Sequence, residues 1–79
     1  MALNDEIKNI SITFSEDEAV VLFEWLAKFN TKENTYLFED QAEQRVLYDL
    51  EASLEKNISS VFSDDYKTIL LNARKRVKG

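Results

Sequence analysis

Residues 15–29, Ser-Glu-Asp-Glu-Ala-Val-Val-Leu-Phe-Glu-Trp-Leu-Ala-Lys-Phe, limit what this chain can fold into more than any other stretch. They open as a helix. Ser15 followed three residues later by Glu18 forms a capping box, in which hydroxyl and carboxylate each accept a backbone N–H at the helix start. At about 100° per residue, Asp17, Glu24 and Lys28 share one narrow sector, and residues 19–23, Trp25, Leu26, Ala27 and Phe29 take up most of the remaining circumference. A helix this apolar has to be covered from several sides. The rest of the chain is expected to gather around it, with Val20, Val21 and Trp25, which border the polar sector, the hardest to enclose.

Length limits the material available for that covering. The 79 residues make one domain, 1–79, and a chain of this size buries only about 60 to 65% of its unfolded surface. Marginal stability or a partner is the expected consequence. The absence of Cys removes disulfides and thiolate zinc sites and fits a reducing cytoplasm. No apolar run approaches the roughly 18 residues of a membrane span, and the opening Met-Ala-Leu-Asn-Asp-Glu lacks the basic and apolar regions of a signal peptide. A soluble, cytoplasmic protein is expected.

Residues 8–14, Lys-Asn-Ile-Ser-Ile-Thr-Phe, alternate strictly, with Ile10, Ile12 and Phe14 on one face and Asn9, Ser11 and Thr13 on the other. That is the period of a half-buried strand. A lone strand leaves its backbone donors and acceptors without a ladder. The candidate partners within the chain are residues 35–38 and 58–62, and failing those, the same strand of a second subunit.

A polar connection at 30–34, rich in Asn and Thr, leads to a second helix expected at about 39–57, with Val46, Leu47, Leu50, Leu54 and Ile58 as its apolar stripe and Ala42 at the edge. Glu43 falls inside that stripe. An ionised carboxylate there costs several kcal/mol unless paired, on the order quoted for buried charges, so it is expected to be a buried cap or an ion pair with Arg45 or Lys28. Tyr48 points away from the stripe. After a break at 59–62, Ser63 with Asp64 and Asp65 marks the start of a third helix, along which Tyr66, Ile69, Leu70, Ala73 and Val77 form the apolar stripe.

The net charge of −5 conceals an uneven distribution. Residues 1–66 carry all 15 acids and 5 of the 10 bases, whereas residues 67–79 carry Lys67, Arg74, Lys75, Arg76 and Lys78 and no acid. An acidic body repels phosphate backbones. Cations in the last turn of a helix complement its dipole, the simplest reading of the basic end.

Little here carries chemistry. There is no His and no Cys, and the single glycine is terminal, which excludes imidazole and thiol catalysis, a Gly-rich phosphate loop and a nucleophile elbow. Glu39, Asp40 and Glu43, or Glu51 and Glu55, stand at spacings that could bring two oxygens to one hard cation. Without a recognised ligand motif, a solvated helix face is the preferred reading.

Two resemblances add to this. The run Asp-Gln-Ala-Glu-Gln-Arg-Val-Leu-Tyr-Asp-Leu-Glu-Ala-Ser-Leu-Glu at 40–55, followed by Val-Phe-Ser-Asp-Asp-Tyr-Lys-Thr-Ile-Leu at 61–70, resembles a group of small bacterial proteins with Ala-Glu-Gln, Leu-x-x-Leu-Glu and Phe-Ser-x-x-Tyr. The resemblance extends over nearly the whole chain. It implies a bacterial source and a shared fold, and it supplies no site residues. Residues 8–29 are also similar in topology to ribbon-helix-helix repressors and antitoxins, in which strands of two subunits pair and read the major groove. That resemblance implies Asn9, Ser11 and Thr13 as base-reading residues. The chain departs from the pattern in lacking the Gly-containing turn and the Ser or Thr start of the second helix, and in adding a third helix.

The expected fold is thus mainly α, an N-terminal β-strand followed by a three-helix bundle with the first helix at its centre. By elimination, the expected function is a non-enzymatic protein-interaction or regulatory module, self-associating as a homodimer. A DNA-binding regulator or an acidic immunity or inhibitor-type protein is the alternative. The candidate interaction surface comprises Val20, Val21 and Trp25 with Glu39, Asp40, Tyr48, Asp49, Glu51 and Glu55, the acidic members offering a face to a basic partner or merely keeping the protein soluble. No catalytic residue, cofactor or metal is expected, and neither nucleic acid nor membrane is an expected partner.

Overall fold

The computed structural model describes residues 8–79, which form three α-helices, α1 (Glu16–Asn30), α2 (Gln41–Asn57) and α3 (Tyr66–Lys78), separated by 3-10 turns at Thr35–Leu37 and Ser59–Phe62. The fold is mainly helical, and no helix among the described residues is long and apolar enough to cross a membrane.

Each helix starts and stops for identifiable reasons. Ser15 is the N-cap of α1: its Oγ accepts the Glu18 N–H at 3.1 Å, and the Ser15 N–H donates to Glu18 Oε1 at 2.9 Å. Both halves of the capping box are made, and Glu16, Asp17 and Glu18 add negative charge where the helix dipole favours it. At the other end, the Thr31 hydroxyl donates to the Lys28 carbonyl, and the Asn34 amide donates to the Phe29 carbonyl at 2.7 Å. Those bonds satisfy carbonyls that the helix leaves open.

α2 begins two residues later than the sequence pattern suggests because Asp40 serves as its cap, accepting the Ala42 N–H at 2.7 Å. Glu43 is exposed instead of buried, a correction to the expectation drawn from the helical stripe. It is a cap nonetheless. Its Oε1 accepts the Glu39 N–H at 3.0 Å, and neither Arg45 nor Lys28 pairs with it. α3 likewise starts at Tyr66 and not directly after Ser63. The Ser63 hydroxyl accepts the Asp65 N–H and its carbonyl accepts the Tyr66 N–H, so Ser63 closes a turn of its own ahead of the helix.

α1 lies at the centre. α2 and α3 each pack against it, whereas α2 and α3 meet chiefly through the Ser59–Phe62 turn. α3 runs antiparallel to α1, since Asp17 at the start of α1 pairs with Arg76 near the end of α3, and Glu24 further along α1 bonds Tyr66 at the start of α3. On the α2 side, the Asn30 amide donates to Glu51 Oε1 at 2.6 Å.

The core is small. It consists of Val20, Phe23 and Leu26 from α1, Leu54 and Ile58 at the end of α2, and Leu70 and Ala73 from α3, with no buried charged or polar residue among the described positions. Ala19, Val21, Leu22, Leu47, Leu50, Val61 and Tyr66 pack half-buried around it. Val46 and Val77, both assigned to apolar stripes from their spacing, are exposed. Val46 lies at the edge of its stripe, whereas Val77 lies near the middle of its own but in the last turn of α3, beyond the covered stretch.

Among the described residues none lies in a strand, and residues 8–14 carry no ladder there. Of the candidate partners, residues 35–37 and 59–62 form 3-10 turns, and only the flanking Phe38 and Ile58 are extended.

A candidate interaction surface

The segment at 8–14 ends at the capping box, which fixes where the chain enters α1. With no ladder partner among the described residues, its apolar side chains stay in solvent: Ile10 is 88% exposed and Ile12 74%, with Phe14 less so. Beside it lies an open groove of about 550 Å³ between the start of α1 and the second half of α2. Ile12, Thr13 and Phe14 form one wall, and Ala19, Leu50, Leu54 and Ile58 supply apolar lining. Glu16, Ser53 and Asn57 give it a polar rim. The exposed apolar side chains of residues 8–14 and an adjoining apolar groove thus lie together.

The candidate residues on α1 separate. Val20 is 1% exposed and belongs to the core, which corrects the expectation that it would be hard to cover: α2 and α3, arriving on two sides, close over it. Val21 is half-buried against that core. Trp25, by contrast, is 53% exposed. Its ring stacks on Phe29 with centroids 4.8 Å apart, and Phe29 meets Phe38 edge-on at 5.9 Å. Offset and edge-to-face contacts of this kind are the favoured aromatic geometries. Lys28, Lys32 and Asn34 border the cluster.

The acidic candidates around α2 do not form one negative face. Asp40 is occupied as the helix cap, Asp49 pairs with Arg45 at 3.2 Å, and Glu51 is half-buried and held by Asn30. Glu39 and Glu55 are exposed, near opposite ends of the helix. The Tyr48 hydroxyl accepts the Gln44 amide at 3.1 Å on the exposed side. Arg45 and Lys56 sit among these acids, so the surface is of mixed charge. Among the described residues, no three carboxylates cluster to hold a metal ion.

Two polar contacts join α1 to α3. Arg76 grips Asp17 with two bonds, Nε to Oδ2 at 2.7 Å and a terminal guanidinium nitrogen to Oδ1 at 2.8 Å. The hydrogen bond from Arg76 holds the Asp17 carboxyl below its usual range. The Tyr66 hydroxyl donates to Glu24 Oε1 at 3.1 Å, while Lys28 approaches the other oxygen at 3.6 Å. Burial, with the bond to Glu24 adding to it, pushes the Tyr66 phenol up to about 12.

Sequence spacing missed four exposed apolar residues, Tyr36, Leu37, Phe62 and Leu71. The first three lie on the 3-10 turns, where neither a helical nor a strand period applies, and Leu71 falls outside the apolar stripe of α3. The groove residues Leu50, Leu54 and Ile58 were legible only as core, because a stripe does not reveal how far its covering extends.

Comparison of the chain with protein-family models, with curated proteins and with solved structures gives no match.

Proposed function

We propose that this chain is a non-enzymatic protein-interaction module that self-associates through residues 8–14. The observation that carries the reading is the exposed, strictly alternating Ile10-Ser11-Ile12-Thr13-Phe14, which has no ladder partner among the described residues. In an antiparallel pair of two copies centred on Ile12, Ile12 stands opposite Ile12 and Ile10 opposite Phe14. All six apolar side chains then share one face, since directly opposed residues point the same way. The backbone groups of both segments gain a ladder at the same time. The groove lined by Ala19, Leu50, Leu54 and Ile58 lies beside that face and offers apolar surface for it to cover.

The non-enzymatic part of the reading is supported by residue types. With no His, no Cys and no internal Gly, the chain has no imidazole base, thiolate or phosphate-cradling loop. The described acids are engaged in capping, ion pairing and helix-to-helix bonds or stand apart on the surface.

Light scattering on a size-exclusion column tests self-association. A dimer mass at tens of micromolar is expected for the parent chain, and a monomer mass for the Ile10→Ser, Ile12→Ser double variant with unchanged helical circular dichroism. Equal masses for the two proteins would remove residues 8–14 from the interface.

A further inference from the structure

A second surface, on α3, is distinct from the groove. At about 100° per residue, Lys67, Leu71, Arg74, Lys75 and Lys78 fall within one sector of about 100°, beside the face of Leu70 and Ala73, which pack into the core. All five are exposed, and Leu71, near the middle of the sector, is 52% exposed. Among the described residues, none of the four cations makes an ion pair. Arg76, the remaining cation of the helix, lies on the other flank and is committed to Asp17.

Compensation of the helix dipole accounts for Lys75, Arg76 and Lys78 in the last turn. It does not account for Lys67, the second residue of α3, where the dipole disfavours a cation. The stripe therefore runs the length of the helix, about 16 Å from Lys67 to Lys78, against the local electrostatic preference at one end. Its charge also opposes the rest of the chain, since residues 1–66 hold every acid.

We infer that this face of α3 docks an acidic amphipathic segment of a partner protein, with carboxylates flanking an apolar side chain that seats on Leu71. Charge complementarity selects the sign of the partner. The apolar centre selects a peptide over a phosphate backbone, because Leu71 gains from an apolar neighbour and gains nothing opposite phosphates. The excess of acid over the remainder of the chain repels a long polyanion that extends beyond the stripe. A lipid surface fits less well, since Leu71 is the single apolar residue within the stripe.

Fluorescence anisotropy with four labelled probes tests the inference on the full chain. The probes are a 20-residue helical peptide with glutamates around a central leucine, the same peptide with serine at that position, a 20-nucleotide single-stranded DNA, and phosphatidylglycerol vesicles. The leucine peptide is expected to bind most tightly, and its affinity to fall as salt rises from 50 to 500 mM. Lys67→Glu is the discriminating variant, because a carboxylate in the first turn favours α3, yet binding is expected to weaken about fivefold. Arg74→Gln with Lys75→Gln is expected to weaken it by a similar factor without placing an acid at the helix end, and Leu71→Ser by about threefold. Lys56→Glu, on α2, serves as the reference for general charge.

The inference is overturned if Lys56→Glu costs as much as Lys67→Glu, if the serine peptide binds as well as the leucine peptide, if DNA or vesicles bind more tightly than either, or if no peptide binds at millimolar concentration. The Ile10→Ser, Ile12→Ser variant is expected to bind the peptide as the parent does. That result separates this face from the self-association surface.

Discussion

The Tyr66 hydroxyl and the Glu24 carboxylate meet 3.1 Å apart where α3 begins. Because the phenol is pushed up to about 12 from an ordinary value of 10.0, chiefly by burial and then by Glu24, its contribution to stability is complete below pH 10 and is lost as pH rises toward 12. Tyr66→Phe should lower stability near neutrality by about 1 kcal/mol for the lost bond, and its decline between pH 10 and 12 should be shallower than the parent's in urea titrations at each pH. Asp17 has the opposite sign. Its carboxyl, held low by Arg76, contributes stability that is present above its ordinary value of 3.8 and is lost as pH falls through the lowered value. Asp17→Asn should therefore flatten the acid limb of the stability curve, and an unchanged limb would show that the pair contributes nothing. At this scale sequence reading was uneven. Glu43 lies in the apolar stripe by angle, but it sits in the first turn of α2, where its carboxylate reaches back to the Glu39 N–H. Helix-end geometry takes precedence there over the helical period.

Among the elements, α1 was legible almost to the residue, because Ser15 and Glu18 specify its start and three of the seven core residues come from it. Leu26, fully enclosed, should be the least tolerant position: Leu26→Ala is expected to cost about 2 to 5 kcal/mol, read as a fall in the urea midpoint. In a core of seven residues that loss approaches the whole stability of a small domain. Ser15→Ala should cost about 1 kcal/mol through the lost cap. The starts of α2 and α3 were less legible, since Asp40 and Ser63 are both good turn and cap residues and only the surrounding packing decides which bond each makes. The partner of residues 8–14 could not be read from periodicity at all. Alternation establishes that one face is apolar and says nothing of what covers it.

For the whole molecule, one helix flanked by two others encloses Val20, Phe23 and Leu26 and leaves Ile10, Ile12 and Trp25 in solvent. The expectation that α1 would outrun its covering holds at Trp25 and fails at Val20, which lies on the side where α2 and α3 pack. Burying Ile10 and Ile12 fully would contribute about 1.5 to 3 kcal/mol for each side chain, a hydrophobic driving force for the proposed assembly of two copies. Sedimentation equilibrium across 1 to 200 µM is the most direct measurement of that claim. A concentration-dependent rise from monomer to dimer mass is expected, abolished by Ile10→Ser with Ile12→Ser, and a parent chain that stays monomeric throughout would contradict self-association.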